Sequence, residues 1–128
     1  MTEYLLDVNV LVAYAIQEHV HHERVVSGLS ERAENGDNFC VCPIVELGLI
    51  RNSMRIGGIS IKIAKQLMTH VSENLVLKRI PDSVFSQQLP NWIQGYRQTT
   101  DAYLVALAEA NGCQLLTLDV SIPGAEAM

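Results

Sequence analysis

Four carboxylates stand alone in stretches that otherwise read as buried. Asp7 is the only charge from Tyr4 to Gln17, and Glu46 the only one from Asn38 to Ile50. Asp101 is alone between Arg97 and Glu109, and Asp119 is alone from Ala110 to Ala125. An isolated carboxylate in apolar surroundings is costly unless it is paired or neutralised. Carboxylates brought together raise one another's pKa, so a cation is their natural neutraliser. A donor set made only of oxygen selects Mg²⁺ or Mn²⁺, and water on such an ion is acidified and, on losing a proton, can attack phosphorus. Asp82 and Glu73 also lack charged neighbours. One follows Pro81 in a turn and the other lies in the polar run Ser72-Glu73-Asn74, where capping and solvated helix ends account for them.

The elements that must position these acids alternate short apolar runs with helical periodicity, the pattern of an α/β layer fold around a parallel sheet. Tyr4-Leu5-Leu6 is a strand and Val8 to Gln17 the helix behind it. His22 to Asn35 is a second helix stopped by Gly36-Asp37. Phe39 to Cys42 is a second strand, and Pro43 opens a helix to about Arg55. Gly57-Gly58 breaks the chain. Ser60 caps a helix to Asn74 with Ile61, Ala64, Leu67, Met68 and Val71 on one face. Val76 to Ile80 is expected as a third strand, and Pro81-Asp82-Ser83 as the opening of a short helix. Thr99 or Thr100 caps a helix ending at Asn111-Gly112, and Gln114 to Leu118 is a fourth strand. Asp119 to Met128 holds a Pro-Gly turn and looks too short and turn-rich for a firm final strand. Asp7 and Asp119 thus fall just past strand ends, with Glu46 and Asp101 in first turns of helices. That edge is where open parallel sheets build their sites.

With 128 residues, 48% of them hydrophobic and 18% charged, the chain is expected to be one domain with one core rather than a disordered segment. No run is long enough to span a membrane and no basic n-region precedes an apolar stretch, so a soluble cytoplasmic protein is expected. The net charge of −5 argues against broad electrostatic binding of a nucleic-acid backbone. A phosphate-bearing substrate would need recruited cations or a local basic patch, and Arg51, Arg55, Lys62 and Lys65 around Gly57-Gly58 could form one or simply be solvated helix faces. Cys40, Cys42 and Cys113 match no zinc spacing and read as small buried hydrophobes. His19, His21 and His22 lack partners at metal spacing and read as loop or cap residues. One Trp and two Phe give no aromatic platform for stacking bases.

Leu5-Leu6-Asp7-Val8-Asn9-Val10-Leu11, Pro43-Ile44-Val45-Glu46-Leu47, Thr100-Asp101-Ala102-Tyr103-Leu104 with Ala106-Leu107-Ala108, and Leu116-Thr117-Leu118-Asp119 resemble, in order and spacing, the PIN-domain ribonucleases. Among these the resemblance is to the VapC toxins of type II toxin–antitoxin systems, and it covers almost the whole chain. It implies a single PIN-like domain over residues 1–128, a three-layer fold with a central parallel sheet of four to five strands, and Mg²⁺- or Mn²⁺-dependent endoribonuclease activity. It assigns Asp7, Glu46, Asp101 and Asp119 to metal binding and to positioning the attacking water. Asn9 and Thr117 would orient those ligands, or else serve as a helix-start cap and an ordinary strand residue. It also implies an RNA substrate, a small cognate antitoxin covering the crevice, and a homodimer paired through apolar helix faces. A non-toxin RNA-processing nuclease is the neighbouring alternative. A phosphotransfer or receiver-like domain also keeps acids at strand ends, but a haloacid-type phosphatase wants a second acid two residues after the first, and Asn9 stands there.

Overall fold

The computed structural model describes residues 1–128. Its five strands are β1 (Glu3–Leu6), β2 (Asn38–Val41), β3 (Lys78–Arg79), β4 (Gln114–Thr117) and β5 (Glu126–Ala127). All pair in parallel in the order β3-β2-β1-β4-β5. The helices are α1 (Val8–Ala15), α2 (His22–Glu34), α3 (Pro43–Gly57), α4 (Ile61–Leu75) and α5 (Thr99–Ala110), with single 3₁₀ turns at Ser86–Gln88 and Tyr96–Gln98.

A strand covered on both faces should be apolar at every position, not at alternate ones. Leu5, Leu6, Leu115 and Leu116 are consecutive pairs and all are buried, which puts β1 and β4 in the middle of the sheet. The first two crossovers, β1 to β2 to β3, run in one direction and the third reverses to reach β4. Right-handed connections then place α1 to α4 on one face and α5 on the other. The contacts agree: α1 packs on α2, α3 and α4, while α5 packs on β1 and β4. The point where the order reverses, between β1 and β4, is where such a sheet opens a crevice at its carboxyl edge.

One close approach ties this frame to the site. Gly48 of α3 lies against Val8 of α1, and a Cβ there would fall 2.5 Å from Val8 Cγ2. Gly48→Ala is therefore expected to cost about 1–3 kcal/mol through overpacking. Val8→Ala in the same chain should recover most of it, as thermal melts of the two single variants and the double variant would show. Recovery absent from the double variant would place the strain elsewhere.

The structure corrects the sequence reading at several elements. The third strand is only Lys78–Arg79, because Val76 takes the left-handed conformation (φ 52, ψ 52) as the C-cap of α4 and its N–H turns back to Glu73 and Ser72. No helix opens at Pro81, and residues 81–85 carry no regular structure before the 3₁₀ turn at Ser86. Neither threonine caps α5; Gln98 holds that position, and Thr99 donates its hydroxyl to the Tyr96 carbonyl instead. Ile61 is half exposed rather than on the buried face of α4, which is Ala64, Met68 and Val71. A final strand does form. Glu126 and Ala127 pair with Leu116 and Thr117, and Glu126 is held by Arg32 at 2.9 Å and by the Tyr4 hydroxyl at 3.1 Å. No helix is long and apolar enough to cross a membrane.

Candidate active site

Asp7 follows β1 directly, and its own N–H continues the ladder to the Leu116 carbonyl at 2.9 Å. Its extended backbone (φ −72, ψ 159) makes it the N-cap of α1, with Oδ1 accepting from Val8 N–H at 2.7 Å. Oδ2 accepts from the Thr117 hydroxyl at 2.8 Å. Thr117, fully buried at the end of β4, is the node of the site. Its Oγ1 also accepts from Asn9 Nδ2 at 3.2 Å and from Asp119 N–H at 3.1 Å. Asn9 Oδ1 in turn accepts from Leu118 N–H at 3.2 Å. Asn9 and Thr117 thus clamp the ends of β1 and β4 together across the switch point and fix the Asp7 carboxylate. Asp7, not Asn9, is the N-cap of α1, and the Thr117 hydroxyl bonds the Asp7 carboxylate.

Burial pushes the Asp7 carboxyl above its ordinary range. The Thr117 and Val8 bonds pull it back in part, and the charge of Asp119 pushes it up again. Asp101, half-buried in the first turn of α5, is also raised, first by burial and then by the charges of Asp7 and Asp119. Asp119 goes the other way: the Ser121 hydroxyl and N–H, at 2.6 and 2.8 Å, hold its carboxyl below the ordinary range. Asp7 is thus pushed up by Asp119, and Asp101 by both Asp7 and Asp119, each after burial. Glu46, in the first turn of α3, completes the acidic edge but is ion-paired with Arg79 at 3.0 Å.

No three acids, histidines or cysteines stand at ligating distance of a common point. Glu46 is ion-paired with Arg79, and Asp119 accepts from Ser121. The donor chemistry nonetheless fits a hard divalent cation: carboxylate oxygens only, mutually repelling, with no cationic side chain hydrogen-bonded to Asp7, Asp101 or Asp119.

The remaining sequence candidates lie outside this cluster. Arg51, Arg55, Lys62 and Lys65 are exposed on the second half of α3 and the start of α4, and Arg55 donates to Asn52. At 1.5 Å per residue, Arg55 lies about 13 Å along the helix from Glu46. The histidines build the turn between α1 and α2: His22 bonds the Ala13 carbonyl at 2.8 Å, and His21 N–H donates to His19 Nδ1 at 3.1 Å. Cys40 and Cys42 are buried with thiols pushed up to about 12, chiefly by burial, which leaves them inert; Cys113 is half-buried with its sulfur 3.6 Å from that of Cys40. Sequence reasoning missed Arg79 and Ser121. Ser121, two residues after Asp119, had the spacing of a local side-chain turn and was legible in principle.

An all-parallel sheet whose switch-point strands both run into aspartates, tied by Asn9 and Thr117, defines an α/β domain with an acidic site at its carboxyl edge. The PIN-domain family model matches residues 4–125. Ribonuclease VapC29 of Mycobacterium tuberculosis is 35% identical over 116 residues, 90% of this chain and 84% of that protein. Ribonuclease VapC38 of the same species is 34% identical over 124 residues, 92% of this chain and 86% of the relative. A crystal structure of VapBC2 from Rickettsia felis bound to a DNA fragment from its promoter superposes with a TM-score of 0.71 at 16% identity, covering 99% of this chain and 98% of that one. The chain belongs to the PIN-domain family, on its VapC-like branch.

Proposed function

We propose that this chain is an endoribonuclease, the toxin of a type II toxin–antitoxin module, that hydrolyses RNA phosphodiester bonds with Mg²⁺ or Mn²⁺. The observation that carries the reading is the placing of Asp7, Asp101 and Asp119 at the carboxyl edge, Asp7 and Asp119 tied to one Thr117 hydroxyl and none of the three bonded to a cationic side chain. The names of the VapC ribonuclease relatives support the substrate class.

In this reading Asp7 and Asp101 are the principal ligands of the ion, with Glu46 and Asp119 completing the set. Bound there, a divalent ion would neutralise the clustered charge and make a water nucleophilic toward phosphorus at neutral pH. Asp7 is held for that role by Thr117 and by the start of α1, so it cannot swing away. Asn9 keeps Thr117 oriented through Nδ2, and Asp119, kept ionised by the two Ser121 bonds to Oδ1, offers Oδ2 for a water contact. Arg51, Arg55, Lys62 and Lys65 supply positive charge along the flanking helices for the rest of the strand. A small antitoxin and pairing of two copies belong to the same proposal. Ile44, Leu47 and Met54 support it, exposed apolar residues on α3, the helix that carries Glu46.

Purified protein incubated with RNA and Mg²⁺ or Mn²⁺ should cut it, chelation should stop the reaction, and restoring Mn²⁺ should restart it. Cleavage that persists through chelation would remove the metal-dependent reading.

A further inference from the structure

The acidic edge contains one cation that a site for a metal ion does not require. Arg79 is the last residue of β3, in register with Val41 of β2, and so stands at the same edge as the helix start that carries Glu46. β3 is the outer strand of the sheet, and the Arg79 side chain remains 68% exposed. Its guanidinium makes a single bond, from one terminal nitrogen to Glu46 Oε1 at 3.0 Å. Other arginines are committed elsewhere: Arg32 to Glu126 and the Tyr4 ring, Arg55 to Asn52, Arg97 over the Tyr96 ring. Arg79 alone contacts one of the four candidate carboxylates.

A polyanion approaching this edge meets four carboxylates on a chain of net charge −5. Some positive charge must offset that repulsion at the point of contact. An arginine fork matches a phosphate with two parallel bonds, whereas it spends only one on Glu46. A solvent-exposed, one-bond ion pair is weak and readily exchanged. We propose that Arg79 grips an RNA phosphate beside the carboxylates, with Glu46 as its resting partner. Arrival of the phosphate then takes Arg79 away from Glu46 and frees that carboxylate for the site. The proposal rests on the RNA-cleaving reading above and names the residue that meets the substrate.

The test is anisotropy of a labelled single-stranded oligoribonucleotide with the full chain in Ca²⁺, across a salt series. Arg79→Gln should weaken binding about tenfold and reduce the slope of log affinity against log salt by about 0.7, the value for one phosphate contact to a single strand. Arg79→Lys should keep the slope and recover part of the affinity. Arg24→Gln, the same charge change on exposed α2, should match wild type. Wild-type affinity and slope in Arg79→Gln, or an equal loss in Arg24→Gln, overturns the proposal. Calorimetric titration of Mn²⁺ into Arg79→Gln without RNA gives a second reading. Affinity equal to or above wild type supports the proposal, and weaker Mn²⁺ binding would make Arg79 a prop for Glu46 instead. A wild type that cuts RNA while Arg79→Gln is indistinguishable from it defeats this proposal alone. A wild type that binds the oligonucleotide through Arg79 but never cuts it supports this contact and defeats the nuclease.

Discussion

Asp7→Asn is expected to lower RNA cleavage by roughly 10³-fold while leaving the fold as stable as wild type or more so. The kinetic half follows from what a bound cation supplies: several kcal/mol of charge stabilisation, at about 1.4 kcal/mol per factor of ten. The stability half follows from the sign of the pKa shift. Burial raises the folded carboxyl of Asp7 above its unfolded value. Between those two values the native state keeps a proton the unfolded chain has lost, so stability falls as pH rises through that window. Asparagine has no such slope, and its amide occupies the same pocket beside Thr117 and Val8. In melts without divalent ions, Asp7→Asn should therefore match wild type at low pH and exceed it near neutrality. Adding Mn²⁺ should reverse the order, because a ligand that binds only the native state stabilises by RT ln(1 + [L]/Kd), about 2.7 kcal/mol at a hundredfold excess over Kd. A variant that melts well below wild type in the absence of metal would make Asp7 a structural cap and nothing more. Because Asp101 is raised for the same reasons, Mn²⁺ affinity should begin to fail, on lowering the pH, earlier than for an ordinary pair of aspartates.

The acids were legible because isolation of charge in apolar sequence is a local property. Asp7 sits among Leu5, Leu6, Val8 and Val10, and nothing distant is needed to see that a charge there is expensive. The central strands were legible for the same reason, since two buried faces leave runs rather than alternation. Arg79 was invisible because Lys78-Arg79 reads as a solvated strand end, and its meaning comes from a partner 33 positions away. The final strand was missed because Glu126-Ala127 has no strand propensity of its own; β4 and the Arg32–Glu126–Tyr4 contacts hold it. The third strand was overextended because Val76 is β-branched, whereas it takes the left-handed C-cap of α4, a conformation such residues seldom adopt, with its N–H returned to Glu73 and Ser72. For Arg79 and the final strand, what the sequence hid was a contact between elements.

Thr117 tests whether the site's precision comes from the clamp behind it. Thr117→Val keeps the shape and removes the hydroxyl. That leaves buried Asp7 Oδ2 short of a partner and removes the acceptor of the part-buried Asn9 Nδ2 and Asp119 N–H. An unsatisfied buried polar group costs about 1–3 kcal/mol. Replacing threonine by valine is then expected to lower stability by about 2 kcal/mol, roughly 6–10 °C in Tm for a chain this size. Activity should fall about 10- to 100-fold, as when a partner that orients a ligand is lost. The pH behaviour separates this from simple loosening. The Thr117 bond is the leading influence holding the Asp7 carboxyl down against burial. Without it that carboxyl rises further, and the acid side of the Mn²⁺-binding profile should move to higher pH. Thr117→Ser restores the hydroxyl but not the methyl, so it should recover the pH profile and most of the activity while remaining less stable than wild type. If serine fails to restore the profile, the hydroxyl is not what sets the charge on Asp7, and the clamp merely packs the junction of β1 and β4.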